Sequence, residues 1–155
     1  MDMTTKIEVE VSHQKFVIDT GALAIDRNDL DKALTIQAKD YAWYRLLYER
    51  CRAERVELEA DIDDLTAEVS EEIRPTLPKG ATETAVKAKI GMHPKIRELS
   101  KACRRKTAME RELLTLVEAV TYRKECVKEL SRSRNLEMSS MSADEVERAK
   151  RHLLG

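Results

Sequence analysis

At 155 residues the chain is one domain by length, or one elongated hairpin with tails. Charged residues make up 37% and aromatics 4%, with four Gly and three Pro, a profile of long helices rather than of a compact mixed fold. The net charge of −1 hides a segregation, because residues 57–73 carry eight acids and no base, whereas residues 95–111 carry seven bases against two acids.

Lys6 to Val11 alternates polar and apolar, with Ile7, Val9 and Val11 on one side and Glu8 and Glu10 on the other, which is strand-like. Phe16-Val17-Ile18 is a second short apolar run, so the start is expected as a small hairpin or an extended arm. Asp19-Thr20-Gly21 breaks the chain. Asp26 or Asn28 reads as the cap of the helix that follows, with Asp29 and Asp31 placed favourably against its dipole.

From Asp29 to Arg74 there is no Gly and no Pro, and apolar residues return at alternating steps of three and four. The predicted seam is Leu34, Gln37, Tyr41, Tyr44, Tyr48, Cys51, Arg55, Leu58, Ile62, Leu65, Val69 and Glu72. Such a helix is roughly 70 Å long and cannot bury its own stripe. It ends before Pro75, and Pro75 to Gly80 is loop chemistry. A short helix is expected over Thr82–Ile90, and a second long one from Pro94 to about Arg134. Its apolar track is Ile96, Leu99, Cys103, Met109, Leu113, Leu116, Val117, Val120, Val127 and Leu130. Ser131 to Ser142 is polar and is expected to fray. Ser142-x-x-Glu145 is a capping box for a last amphipathic helix with Val146, Ala149, Leu153 and Leu154.

The fold class is therefore all-α: a long antiparallel, coiled-coil-like helical hairpin with a short N-terminal arm and a short C-terminal helix. The divisions are an arm over 1–25, the hairpin over 26–135 with its turn at about 75–93, and a linker with the last helix over 136–155. Folding at the connector sets Ile62 near Lys106, Leu58 near Glu110, Cys51 near Val117 and Tyr48 near Val120. The acidic run then faces the basic run. Opposed blocks discriminate against wrong alignments, although each exposed pair contributes only up to ~1 kcal/mol. Ala33, Ala38, Leu46, Leu47 and Val56 fall off the seam, and covering them calls for several hairpins together.

Away from the turn, Arg123, Lys124, Lys128, Arg132 and Arg134 lie across from Tyr41, Trp43, Tyr44 and Tyr48. Cations beside rings suit single-stranded nucleic acid, with phosphates on the cations and bases on the rings. Tyr41, Tyr44 and Tyr48 also occupy core positions, where packing is the plainer role. Arg104 and Arg105 admit both a nucleic-acid and a helix-pairing role. No catalytic arrangement is expected: His13, His93 and His152 are far apart, no glycine-rich phosphate loop exists, and no metal or cofactor site is expected. The odd count of three cysteines reads as reduced thiols of a reducing compartment. Without a signal peptide or a bilayer-length apolar run, the protein is expected to be soluble and intracellular.

The order of these features resembles the UvsY-type recombination mediators of tailed phages over roughly residues 16–135. The resemblance is carried by Phe16-Val17-Ile18-Asp19-Thr20, by Lys39-Asp-Tyr-Ala-Trp-Tyr44, by Thr82-Glu83-Thr84-Ala85-Val86-Lys87-Ala88-Lys89-Ile90, and by the helix ending Thr121-Tyr122-Arg123-Lys124-Glu125-Cys126-Val127-Lys128-Glu129-Leu130. It implies a ring-like homo-oligomer of helical hairpins in the bacterial host cytoplasm that binds single-stranded DNA. Such mediators help a RecA-like phage recombinase replace the single-strand-binding protein, without catalysis. In the family, bases near the end of the first long helix contribute to DNA binding. Here that region, Glu57 to Glu72, is acidic, so contact is expected on the second helix or on Arg148, Lys150 and Arg151. The rival expectation is a non-enzymatic helical scaffold or adaptor that binds only proteins.

Overall fold

The computed structural model describes residues 5–140 and 143–154. In chain order it contains β1 (Lys6–Val11), β2 (Gln14–Asp19), a 3-10 turn at Thr20–Leu23, α1 (Leu30–Ile73), a 3-10 turn at Arg74–Thr76, α2 (Glu83–Gly91), α3 (Pro94–Ser140) and α4 (Ala143–Leu154). α1 and α3 are antiparallel, the helical hairpin expected from the periodicity. The residues group into two compact units, each holding part of both long helices. A terminal unit comprises the chain through Glu8, Val17–Leu46 and Leu114 onward; a connector unit comprises Val9–Phe16 and Leu47–Leu113.

The start is a β-hairpin rather than an extended arm. Its two-residue turn, Ser12-His13, has φ of 52° and 61°. Positive φ at both central residues matches the right-handed twist of the strands, though neither residue adopts it cheaply. At the other end, Thr5 N–H bonds Thr20 Oγ1 at 2.9 Å, and Asp19 accepts from Gly21 N–H at 2.8 Å. The alternation holds, with Val9, Val11 and Ile18 buried and Val17 exposed.

Asp29, not Asp26 or Asn28, caps α1: its carboxylate accepts from Lys32 N–H at 3.0 Å, satisfying one of the first turn's orphan donors. Asp26 instead holds the preceding turn through Asn28 N–H at 2.9 Å. At the other end α3 continues to Ser140, through the stretch expected to fray. Its last turn carries Ser139 and Ser140, whose hydroxyls donate to the carbonyls of Leu136 and Glu137. The Ser142 cap lies outside the described residues, as do the side chains of Val146, Ala149, Leu153 and Leu154.

The seam of α1 is partly relocated. Gln37, Tyr44, Cys51 and Val69 are buried as predicted, but Leu47 is also fully buried although the pattern placed it off the seam. Leu34 and Tyr41, predicted inside, are exposed by 39% and 42%. The register differs as well. Cys51 lies against the Lys106 backbone, not Val117, and Gln37 donates to the Val120 carbonyl in place of Tyr48. Arg55, not Leu58, pairs with Glu110 at 2.5 Å. The physical reason lies in the connector. Thr82 caps α2 by accepting from Ala85 N–H, Arg74 grips Glu83 at 2.8 Å, and Val69 and Val86 are both buried. α2 thus takes up the last turns of α1, so α3 pairs further back along α1 than a simple fold at the connector implies.

Candidate nucleic-acid interface

In the terminal unit, α3 buries Val120, Arg123 and Val127, half-buries Cys126 and leaves the other intervening residues exposed. Arg123 is therefore a correction to the sequence reading. Only 6% exposed, its guanidinium donates to Gln37 Oε1 at 2.9 Å, to Asp40 Oδ2 at 2.5 Å and to the Ala22 carbonyl at 3.3 Å. The fork geometry of Arg suits three acceptors at once, and here it joins α1, α3 and the turn after β2. It is committed to the fold and offers nothing to a phosphate. Tyr44 is corrected too: it is buried, and its hydroxyl pKa is raised by that burial and next by the Asp40 charge. A ring so enclosed is no stacking platform. Arg134 donates to the Arg27 carbonyl at 2.6 Å, a second tie to the segment before α1.

Lys124, Lys128 and Arg132 form a different set. Spaced by four, they share one face of α3, and all are exposed. Lys128 and Arg132 line a shallow groove with Leu34 of α1 and Ser131, Asn135 and Leu136 of α3. Tyr41, seven residues from Leu34, extends the same side of α1, and Lys124, one turn before Lys128, extends the row on α3. Lys128 pairs with Glu125 at 3.1 Å and Arg132 with Glu129 at 2.8 Å, both on the open surface. Exposed one-turn pairs contribute about 0.3–0.5 kcal/mol, too little to withhold either cation from a phosphate. The groove thus brings cations and an apolar floor together, with one aromatic ring two turns further along the same side of α1.

Other candidates lie elsewhere. Trp43 is 45% exposed but two residues from Tyr41, which turns it to another side of α1. Tyr122 is 74% exposed and stands likewise off the Lys124 row. Arg104 and Arg105 are exposed on α3 within the connector unit. Leu34 was missed as a site residue because it was counted into the seam, and Tyr41, named among the rings across from the cations, was given packing as its plainer role for the same reason. The buried Leu30, Gln37, Tyr44 and Cys51 repeat every seven residues, and that stricter repeat leaves Leu34 and Tyr41 beside it.

The connector unit holds a second polar cluster. The Glu54 carboxylate accepts from Ser12 N–H at 2.5 Å and pairs with Lys106 Nζ at 2.5 Å, while Lys106 also donates to the Glu10 carbonyl at 2.6 Å. Burial pushes the Glu54 pKa up, but the hydrogen bonds from Lys106 and Ser12 outweigh it and the net shift is downward. This cluster fastens the β-hairpin tip to both long helices. Among the described residues no group of three or more His, Cys, Asp or Glu could hold a metal ion. Cys51, Cys103 and Cys126 are free thiols, and no described helix is long and apolar enough to cross a membrane.

Comparison with known protein families, with curated proteins and with solved structures finds no match to this chain. The likeness to UvsY-type mediators accordingly rests on the motifs quoted for it.

Proposed function

We propose that the protein is a phage-type recombination mediator: a non-catalytic homo-oligomer that binds single-stranded DNA in the host cytoplasm. In that role it helps a RecA-like recombinase take the place of the single-strand-binding protein during homologous recombination, repair and recombination-dependent replication. The observation that carries this reading is the exposed row Lys124, Lys128 and Arg132 beside Leu34 and Tyr41. Cations along a groove track a phosphate backbone, and a ring on the opposite wall accepts an unstacked base. Contacts of this kind are sequence-tolerant, as a mediator acting along any strand requires. The UvsY-type motifs supply the biological setting.

Fluorescence anisotropy of a labelled oligo(dT) tests the reading. Binding is expected at low salt and is expected to weaken as salt rises, because counterions released from the strand are reacquired. Reversing Lys124, Lys128 and Arg132 to Glu should remove it with helicity unchanged. An absence of binding at low salt overturns the reading.

A second reading, a helical scaffold that binds only proteins, draws on the apolar surface outside the groove, chiefly Tyr122 at 74% exposure. Binding indifferent to the three cations but lost in Tyr122→Ala would favour it.

A further inference from the structure

The charge segregation at the connector has an outcome the helical hairpin does not absorb. Between α1 and α3 in this unit Lys106 pairs with Glu54 and Arg55 with Glu110. Of the acids in residues 57–73, Glu59 pairs with Arg55 on its own helix at 2.6 Å; Glu57, Asp61, Asp64, Glu68 and Glu71 form no ion pair among the described residues, although α3 carries bases over the facing stretch of sequence. The reason is which way the charges point. Leu58, Ile62, Leu65 and Val69 take the inward side of α1, and Ile96, Leu99 and Cys103 that of α3. Glu57, Asp61, Asp64, Glu68 and Glu71 are left on an exposed flank.

Those five acids are spaced four, three, four and three residues apart, so they form one straight stripe. The exposed side of α3 carries Arg97, Lys101, Arg104, Ala108 and Arg111, with the same steps in the same order. Each stripe covers about 21 Å of helix at ~1.5 Å per residue. One is wholly acidic, the other cationic with a single small residue at its fourth place. Two helices that meet along such stripes set opposite charges against each other at every turn, the pattern by which flanking positions of coiled coils choose partners. Within one chain the stripes point away from each other. Only another molecule can bring them together.

We infer that the chain assembles head to tail, the acidic stripe of α1 in one copy docking on the basic stripe of α3 in the next. Such a contact is heterologous: each copy keeps one unused stripe of either sign, so it closes only as a ring or continues as a filament. The inference takes up the assembly required by the proposed function, but it stands on residues of the connector unit. The DNA groove belongs to the terminal unit, so each can fail without the other. The matched spacing favours a second copy over nucleic acid as the occupant of the basic stripe, because a strand requires cations but no acidic stripe of equal pitch.

Sedimentation equilibrium of the full chain at low and high salt, with two charge-reversed variants, tests it. One variant carries Glu57→Lys, Asp61→Lys and Glu68→Lys; the other carries Arg97→Glu, Lys101→Glu and Arg104→Glu. The wild type should be oligomeric at low salt and dissociate as salt rises. Each variant alone should associate about a hundredfold or more weakly, since it sets like charge against like. An equimolar mixture should recover the assembly, because every contact in it is again between opposite charges. Helical circular dichroism monitors folding, and the neutral set Glu57→Gln, Asp61→Asn and Glu68→Gln supplies a milder weakening if a reversal unfolds the chain. A monomeric wild type, variants of unchanged mass, or a mixture that stays dissociated overturns the inference. So does loss of oligo(dT) binding in the Arg97, Lys101 and Arg104 variant with its mass unchanged, which would make the basic stripe a nucleic-acid surface.

Discussion

Arg123 and Lys124 are neighbours with opposite fates. Arg123 turns inward to Gln37, Asp40 and Ala22, while Lys124 turns to solvent. Removing a charge whose partners stay behind costs more than the pair contributes, because they are left desolvated. Arg123→Ala is expected to destabilise the fold by about 3–4 kcal/mol, the lower part of the usual range for buried pairs, since Asp40 is partly exposed. Urea denaturation measures it, and Arg123→Lys should recover little because an ammonium cannot span the three acceptors. Lys124→Ala should change stability by less than about 0.5 kcal/mol. From sequence the two bases looked alike. What separates them is a polar pocket made by Gln37, which sits at a seam position where the pattern suggested only an imperfect apolar residue.

Glu54 makes a residue-scale prediction in pH. Its folded-state pKa lies below the ordinary carboxylate value, so the folded chain binds fewer protons there than the unfolded one. The stabilisation is present above the unfolded pKa of about 4.3 and is lost as pH falls through the lower folded value. Glu54→Gln should therefore flatten the acid limb of the stability curve below about pH 4.3, as read by thermal melting across pH. A limb unchanged by the substitution would show that the hairpin tip is held by other contacts.

For the elements, what could be read from the sequence followed the strength of the local signal. The long helices, the break at Pro75, α2 and the start at Pro94 rest on backbone rules that context seldom overturns. The register between α1 and α3 does not, because it depends on how much of α1 is taken by α2, a tertiary outcome. Leu47 and Tyr41 exchanged places for a related cause. Their residue types fit either side of the seam, so type alone does not decide which of them is covered. The β-hairpin turn carries its own test. Ser12-His13 adopts positive φ at both positions, where Asn-Gly is the favoured pair. Ser12→Asn with His13→Gly should raise stability by about 1 kcal/mol, the steric cost relieved at His13 exceeding the added flexibility of Gly when unfolded. Calorimetry should show a higher melting temperature; a lower one would mean that the His13 side chain itself holds the tip.

At the scale of the whole molecule, near-neutrality and strong local charge are not in conflict. A net charge of −1 gives little long-range attraction toward DNA, so the proposed binding has to come from the row Lys124, Lys128 and Arg132 at close range. Three phosphate contacts predict a slope of about −2 per chain in log affinity against log salt, and the proposed assembly would multiply the contacts on one strand. A slope near zero would exclude the row as the contact surface. The same titration in the charge-reversed connector variants should keep the slope per chain while lowering overall affinity, as avidity is lost.

The fastening of the β-hairpin also sets an order of events during synthesis. The anchor for Glu10 is Lys106, and the anchor for the turn after β2 is Arg123. Neither exists until most of the polypeptide has left the ribosome. The first strands to emerge must therefore wait, unsupported, for helices made long afterwards, since a two-stranded hairpin alone is marginal in water. A nascent chain arrested before residue 106 should leave its opening segment open to protease, and one released at full length should not.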